Sequence, residues 1–184
     1  MSMNKTTRWA CGIVAALFLA FAGFWFAGYR VVETASLPMG IWKLSPIPET
    51  GLQRGQVVHF CPPAEGVFLE AQNRGYLRDG WCPGNIEPLF KPVVALPGDA
   101  VTRTPWGLLV NGEVIEHSVA LERDGHGDIM PVPLDASVSV VPEGRAWVVS
   151  GYSPYSFDSR YFGSIELGWV RDVAEPVWVK GTWP

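Results

Sequence analysis

The 184-residue chain is poor in charge, with 17% Asp, Glu, Lys and Arg, and it gathers its Lys and Arg into no cluster. Two of the 14 basic residues, Lys5 and Arg8, precede the first apolar run. That leaves 12 against 18 acidic residues beyond it, a balance of −6. Phosphate backbones are bound by concentrated Lys and Arg, so no nucleic-acid partner is expected. Cysteine is scarce, at three residues, and no CxxC spacing occurs. His59, His117 and His126 are scattered, so neither a zinc site nor a Ser-His-Asp triad is indicated. No metal or organic cofactor is expected. There is no internal repeat, no second long apolar run, and no sustained helical period after residue 30.

One long apolar run is present. Trp9 to Tyr29 carries no charge, and 21 helical residues span roughly 31 Å, about one hydrocarbon core. A cleaved signal peptide would have an apolar region of about 7–15 residues ending at small residues. This run is longer and ends in aromatics, which favours an uncleaved anchor over a cleaved leader, and over a buried core helix. Lys5 and Arg8 before it predict a cytoplasmic segment 1–8, a transmembrane anchor 9–29, and a domain 30–184 outside. Trp9, Trp25 and Tyr29 suit the interfacial belts of the lipid bilayer.

Beyond the anchor, 16 Pro and 20 Gly across the chain punctuate short β-like runs. Strands are predicted at 55–60, 90–96, 137–141, 145–151 and 176–180. Residues 106–115 form a hairpin whose Asn111-Gly112 pair suits a type I′ turn. The fold class is therefore mainly β, with short helices at most, behind one N-terminal helix. Most of the nine tryptophans are expected in the β core, with Trp42 at the lipid interface. Cys61 and Cys82 would lie in an oxidising compartment. Either they are bridged, offsetting about 3 kcal/mol of loop entropy, or they are two buried thiols.

Three segments carry the chemistry. They are Thr34-Ala35-Ser36-Leu37-Pro38-Met39-Gly40, then Phe90-Lys91-Pro92-Val93-Val94-Ala95-Leu96-Pro97-Gly98-Asp99, then Tyr155-Ser156-Phe157-Asp158-Ser159-Arg160-Tyr161-Phe162-Gly163. A serine hydroxyl needs an adjacent base. Lys91 stands among Leu89, Phe90, Pro92, Val93 and Val94, and strand alternation puts it on one face with Leu89 and Val93. Desolvation there would lower an amine pKa from about 10.4 by several units. Taken singly, Ser36 could be a turn residue and Lys91 a side chain that snorkels to the surface.

In this order behind one anchor, the segments resemble the signal peptidase I superfamily of Ser/Lys proteases. The S-x-P-x-G form at Ser36 and the run 156–163 are most similar to its conjugative-transfer, TraF-type branch. The resemblance covers the chain from the anchor to about Gly163, and Arg54–Phe60 and the Asn111-Gly112 hairpin fall where the family has equivalents. It implies Ser36 as nucleophile, Lys91 as base, the Ser36 N–H with the Thr34 hydroxyl as oxyanion donors, and Ser156 as the group orienting the amine. Asp158 and Arg160 match a pair that holds the site wall, a role that equally describes a structural salt bridge. Pro92 after the lysine, Gly151-Tyr152-Ser153 in place of Gly-Asp-Asn, and Leu37 after the serine depart from the housekeeping enzymes. The resemblance further implies an anchor in the bacterial inner membrane with domain 30–184 in the periplasm, and as substrate an exported precursor, a conjugative pilin, cut to linear or cyclic product. A broad-range housekeeping signal peptidase and a non-catalytic, membrane-tethered β scaffold for pilus assembly are the competing assignments.

Overall fold

A computed structural model describes residues 4–34, 36–131 and 139–181. Helix α1 (Lys5–Phe26) is capped by Asn4, whose side chain accepts the Thr7 N–H at 2.8 Å. It is long and apolar enough to cross a membrane, and none of its residues is buried in the protein. The helix stops three residues short of the expected edge, because Gly28 (φ +88°) turns the chain and Tyr29 starts a strand.

Twelve strands follow: β1 (Tyr29–Val32), β2 (Gly40–Ser45), β3 (Val57–Phe60), β4 (Asp79–Cys82), β5 (Leu89–Ala95), β6 (Ala100–Thr104), β7 (Gly107–Val110), β8 (Glu113–Val114), β9 (Ser139–Val140), β10 (Arg145–Val148), β11 (Ile165–Glu166) and β12 (Val170–Val179). Two short helices intervene, α2 (Gly66–Asn73) and α3 (Ser159–Phe162). One sheet runs β1-β2-β12-β3-β5-β10-β11 and a smaller one β8-β7-β6-β9, with antiparallel pairing in both. The fold is mainly β, as expected. Residues 137 and 138 of one predicted strand lie outside the described residues.

Alternation decides what faces inward. In β5, Leu89, Lys91, Val93 and Ala95 are buried while the residues between them are half-buried. β3 lies between β12 and β5 and is buried at all four positions. The predicted hairpin forms at Asn111 (φ +54°) and Gly112 (φ +86°). One core packs Val58, Phe60, Phe68, Val148 and Tyr161, a second Ala95, Val101, Leu108 and Trp147, and a third Leu37, Trp42, Leu44 and Val57.

The tryptophans correct the sequence reading. Trp42 is wholly buried in the third core, where its indole N–H donates to the Pro38 carbonyl at 3.2 Å. β2 has neighbours on both sides, so its inward face is interior rather than membrane interface. Trp81, Trp106 and Trp178 are exposed instead of filling the core. A disulfide joins Cys61 to Cys82 and encloses α2, while Cys11 is free and exposed on α1.

The Pro97-Gly98-Asp99 turn is tied down by one carboxylate. Asp99 accepts the Leu96 N–H at 2.8 Å, the Asn111 side-chain amide at 2.8 Å and Arg54 Nε at 2.9 Å. The Arg54 hydrogen bonds hold its carboxyl at about 2, below the usual 3.8, against an opposing contribution from burial. A depressed carboxylate pKa stabilises the fold fully above the unfolded value and loses that effect as pH falls towards the folded one. Replacing Asp99 by Ala should therefore cost about 2 kcal/mol at pH 7. In urea titrations the gap between wild type and D99A should close between about pH 4 and 2.

Candidate active site

Ser36, Lys91 and Ser156 come from three distant parts of the chain and meet in one cleft. Ser36 follows β1 and precedes β2, Lys91 is the third of the seven residues of β5, and Ser156 lies between β10 and α3. Lys91 is 3% exposed, and its Nζ donates to Ser36 Oγ in a short hydrogen bond and to Ser156 Oγ at 3.1 Å. Burial lowers its pKa from 10.5 to about 8, with smaller contributions from Asp158, which raises it, Arg160, which lowers it, and Glu87, which raises it. An amine with this pKa is partly neutral near pH 8 and can then take a proton from the Ser36 hydroxyl.

The backbone at Ser36 is fixed from both sides. Its N–H donates to Thr34 Oγ1 at 3.3 Å, and its carbonyl accepts a short hydrogen bond from the Ser150 hydroxyl. An accepting hydroxyl still has its own proton to give. The Ser36 N–H expected at the oxyanion is thus taken up by Thr34 Oγ1, and the Thr34 hydroxyl is the donor left with a proton to give. Leu37 is fully buried and anchors the next position. Gly40 closes the segment where β2 meets β12, and a Cβ there would stand 2.1 Å from the Trp178 carbonyl oxygen. The glycine of the S-x-P-x-G pattern is thus a demand of backbone packing.

Asp158 and Arg160 are wholly buried and pair through two hydrogen bonds, Nε to Oδ1 at 2.8 Å and Nη2 to Oδ2 at 2.9 Å. Arg160 also donates to the carbonyls of Val119 and Ser156, both at 3.1 Å. Asp158 accepts the N–H of Ser150 and of Arg160, also at 3.1 Å. The pair thereby holds both Ser150, which grips the nucleophile's backbone, and Ser156, which grips the amine. Ser150 was missed from the sequence. The nearby signal was the departure at residues 151–153, which marked this loop without singling out its serine.

His59 is excluded as the base by strand alternation. It follows Val58, the cross-strand partner of Lys91, so it faces the other side of the sheet, where Nδ1 bonds Asp172 at 3.0 Å. Among the described residues no three His, Cys, Asp or Glu side chains gather as a metal site. The cleft itself holds about 200 Å³ between Ser36, Lys91, Tyr76, Phe90, Tyr155 and Phe157.

The chain is thus a mainly β domain that pairs a serine with a buried amine beside a cleft. Residues 5–178 match the family described as signal peptidase, peptidase S26, and the chain belongs to that family. Among its relatives, the plasmid transfer protein TraF of Escherichia coli is 38% identical over 169 residues, covering 91% of this chain and 92% of that protein. The conjugal transfer protein TraF of Agrobacterium tumefaciens (strain 15955) is 37% identical over 150 residues, 82% of each chain. A crystal structure of a signal peptidase I from Enterococcus faecalis V583 covers 69% of this chain and 97% of its own, at 23% identity and a TM-score of 0.40.

Two outcomes are expected of this geometry. Selective labelling of lysine side chains should show Lys91 titrating near 8. Arg160→Ala leaves the Asp158 carboxylate buried without its partner, which should cost about 3–5 kcal/mol in urea unfolding.

Proposed function

We propose that this member of the signal peptidase family is a membrane-anchored serine endopeptidase that trims an exported precursor, a conjugative pilin, with Ser36 as nucleophile and Lys91 as base. The observation that carries the reading is the buried Lys91 amine bonded to Ser36 Oγ in the wall of a cleft of about 200 Å³. Family membership supports the peptidase activity, and the similarity to TraF proteins supports the conjugative substrate.

Ser36 Oγ attacks the scissile carbonyl and passes its proton to the neutral Nζ of Lys91. The oxyanion is met by the Thr34 hydroxyl and by the Ser36 N–H once it turns from Thr34 Oγ1, donors of a kind that contribute about 3–4 kcal/mol to the transition state. Nζ then protonates the departing amine, leaving an ester on Ser36. Water resolves the ester to a linear product, or the pilin's own terminal amine resolves it to a cyclic one. Asp158 and Arg160 act as positioning residues. Helix α1 would place the domain at the periplasmic face of the inner membrane, beside substrates still in the bilayer.

Ser36→Ala and Lys91→Ala should each abolish processing while leaving a folded, membrane-bound protein, and the double variant should be no worse than either. The activity of wild type, as kcat/KM on a precursor peptide, should rise with pH along a limb near 8, since only neutral Lys91 accepts the proton. Mass spectrometry of pilin made with and without the protein identifies the cut, and a loss of one further water marks cyclisation. Processing by Lys91→Ala at wild-type rate would show that another group is the base.

A further inference from the structure

The cleft does not end at the dyad. It continues into a groove of about 450 Å³ lined by Val31, Glu33, Thr34, Arg78, Glu87 and Phe90. Glu87, Arg78, Thr34 and Phe90 also line the cleft that holds Ser36 and Lys91, so Glu87 stands where the two spaces join.

Glu87 is built into its place. Its N–H donates to the Arg78 carbonyl at 2.9 Å, and its Oε1 accepts the Arg78 N–H at 3.0 Å. These bonds form the neck of a loop, residues 79–86, which Gly80 continues by donating to the Asn85 carbonyl at 3.0 Å. A Cβ at Gly80 would lie 2.3 Å from the Glu87 Cα, so the neck closes only around glycine. The Cys61–Cys82 disulfide ties the loop to the end of β3. Gln72 braces it from α2, donating to Asp79 at 3.0 Å and to the Asn85 carbonyl at 2.9 Å. Among the described residues no Lys or Arg forms an ion pair with Glu87.

Besides the Lys91 amine, whose proton affinity Glu87 raises through space, three charges border the joined space, and they do not weigh equally. Arg78 and Glu33 are exposed and screened by solvent, whereas Glu87 is half-buried against the cleft wall. A fixed carboxylate in a concave, partly desolvated wall sets the local potential. The balance of −6 beyond the anchor has the same sign. We infer that the Glu87 carboxylate selects precursors carrying a positive charge beside the bond to be cut. The inference rests on the peptidase reading above. The cationic nitrogen could belong to a Lys or Arg side chain, or to the terminal ammonium that would approach the ester for cyclisation.

The test uses the full-length protein in detergent and precursor peptides spanning the mapped cut. Each peptide carries Lys, Gln or Glu at one position within three residues of the scissile bond. At the responsive position, wild type should prefer Lys over Glu by about tenfold in kcat/KM at low salt, and less at high salt. Glu87→Gln, which keeps an acceptor for the Arg78 N–H, should bring the ratio near one. Glu87→Lys should invert it, and Glu87→Asp should retain the wild-type preference. A purely structural role for Glu87 would not produce that inversion. A parallel arm offers free or acetylated terminal amines to the acyl-enzyme; Glu87-dependence confined to the free amine assigns the charge to the ammonium. Cleavage with a Lys-to-Glu ratio unmoved in Glu87→Gln, in both arms, overturns this inference alone. Wild type that cleaves no peptide of the series overturns the peptidase reading and this inference with it.

Discussion

The site depends on keeping one amine dry without letting it become a permanent ammonium. Burying Lys91 in β5 removes the water that would favour its charged form. The usual cost of such burial is met elsewhere by a salt bridge, and a carboxylate sits in the same wall. Asp158, however, is already held by two hydrogen bonds from Arg160 and by two backbone N–H groups. Asp158 raises the Lys91 pKa, Arg160 lowers it and Glu87 raises it a little more, and desolvation outweighs them all. The amine is left with two hydroxyl partners, Ser36 and Ser156, which can bond either protonation state.

That arrangement explains why the dyad was legible in the sequence and its support was not. The alternation Leu89, Lys91, Val93 is a local pattern, and a lysine on an apolar face is visible without a structure. The Asn111-Gly112 hairpin was legible for the same reason, since the turn chemistry lies in two adjacent residues. Ser150 gave no such signal. It reaches the Ser36 carbonyl across 114 residues, and a bond to backbone leaves no mark on the partner's side chain. β1 and β2 were unread because their pairing depends on the register Tyr29↔Lys43 to Val32↔Gly40, not on composition. Trp42 was misplaced on the same account, since its burial comes from β2 being enclosed by β1 and β12. Helix α2 hid in the loop between two cysteines, where only eight residues are helical.

The β1–β2 hairpin also fixes where chemistry occurs relative to α1. The helix ends at Phe26, β1 begins at Tyr29, and Ser36 lies in the connection between β1 and β2. Four residues of strand extend about 14 Å, so Ser36 stands a set distance beyond the helix end. The height is rigid, because β2 pairs with β12 from Val173 to Val179 as well as with β1. The Leu44 N–H donates to the Gly28 carbonyl at 2.9 Å, tying the helix exit itself to the sheet. An enzyme anchored through α1 could then reach only a bond presented at that height. Substrate choice would begin with distance along the membrane normal, before any side chain is read. The chemistry of the cleft would act on what this constraint admits, which is why a site with small, simply shaped walls can still serve a narrow range of precursors.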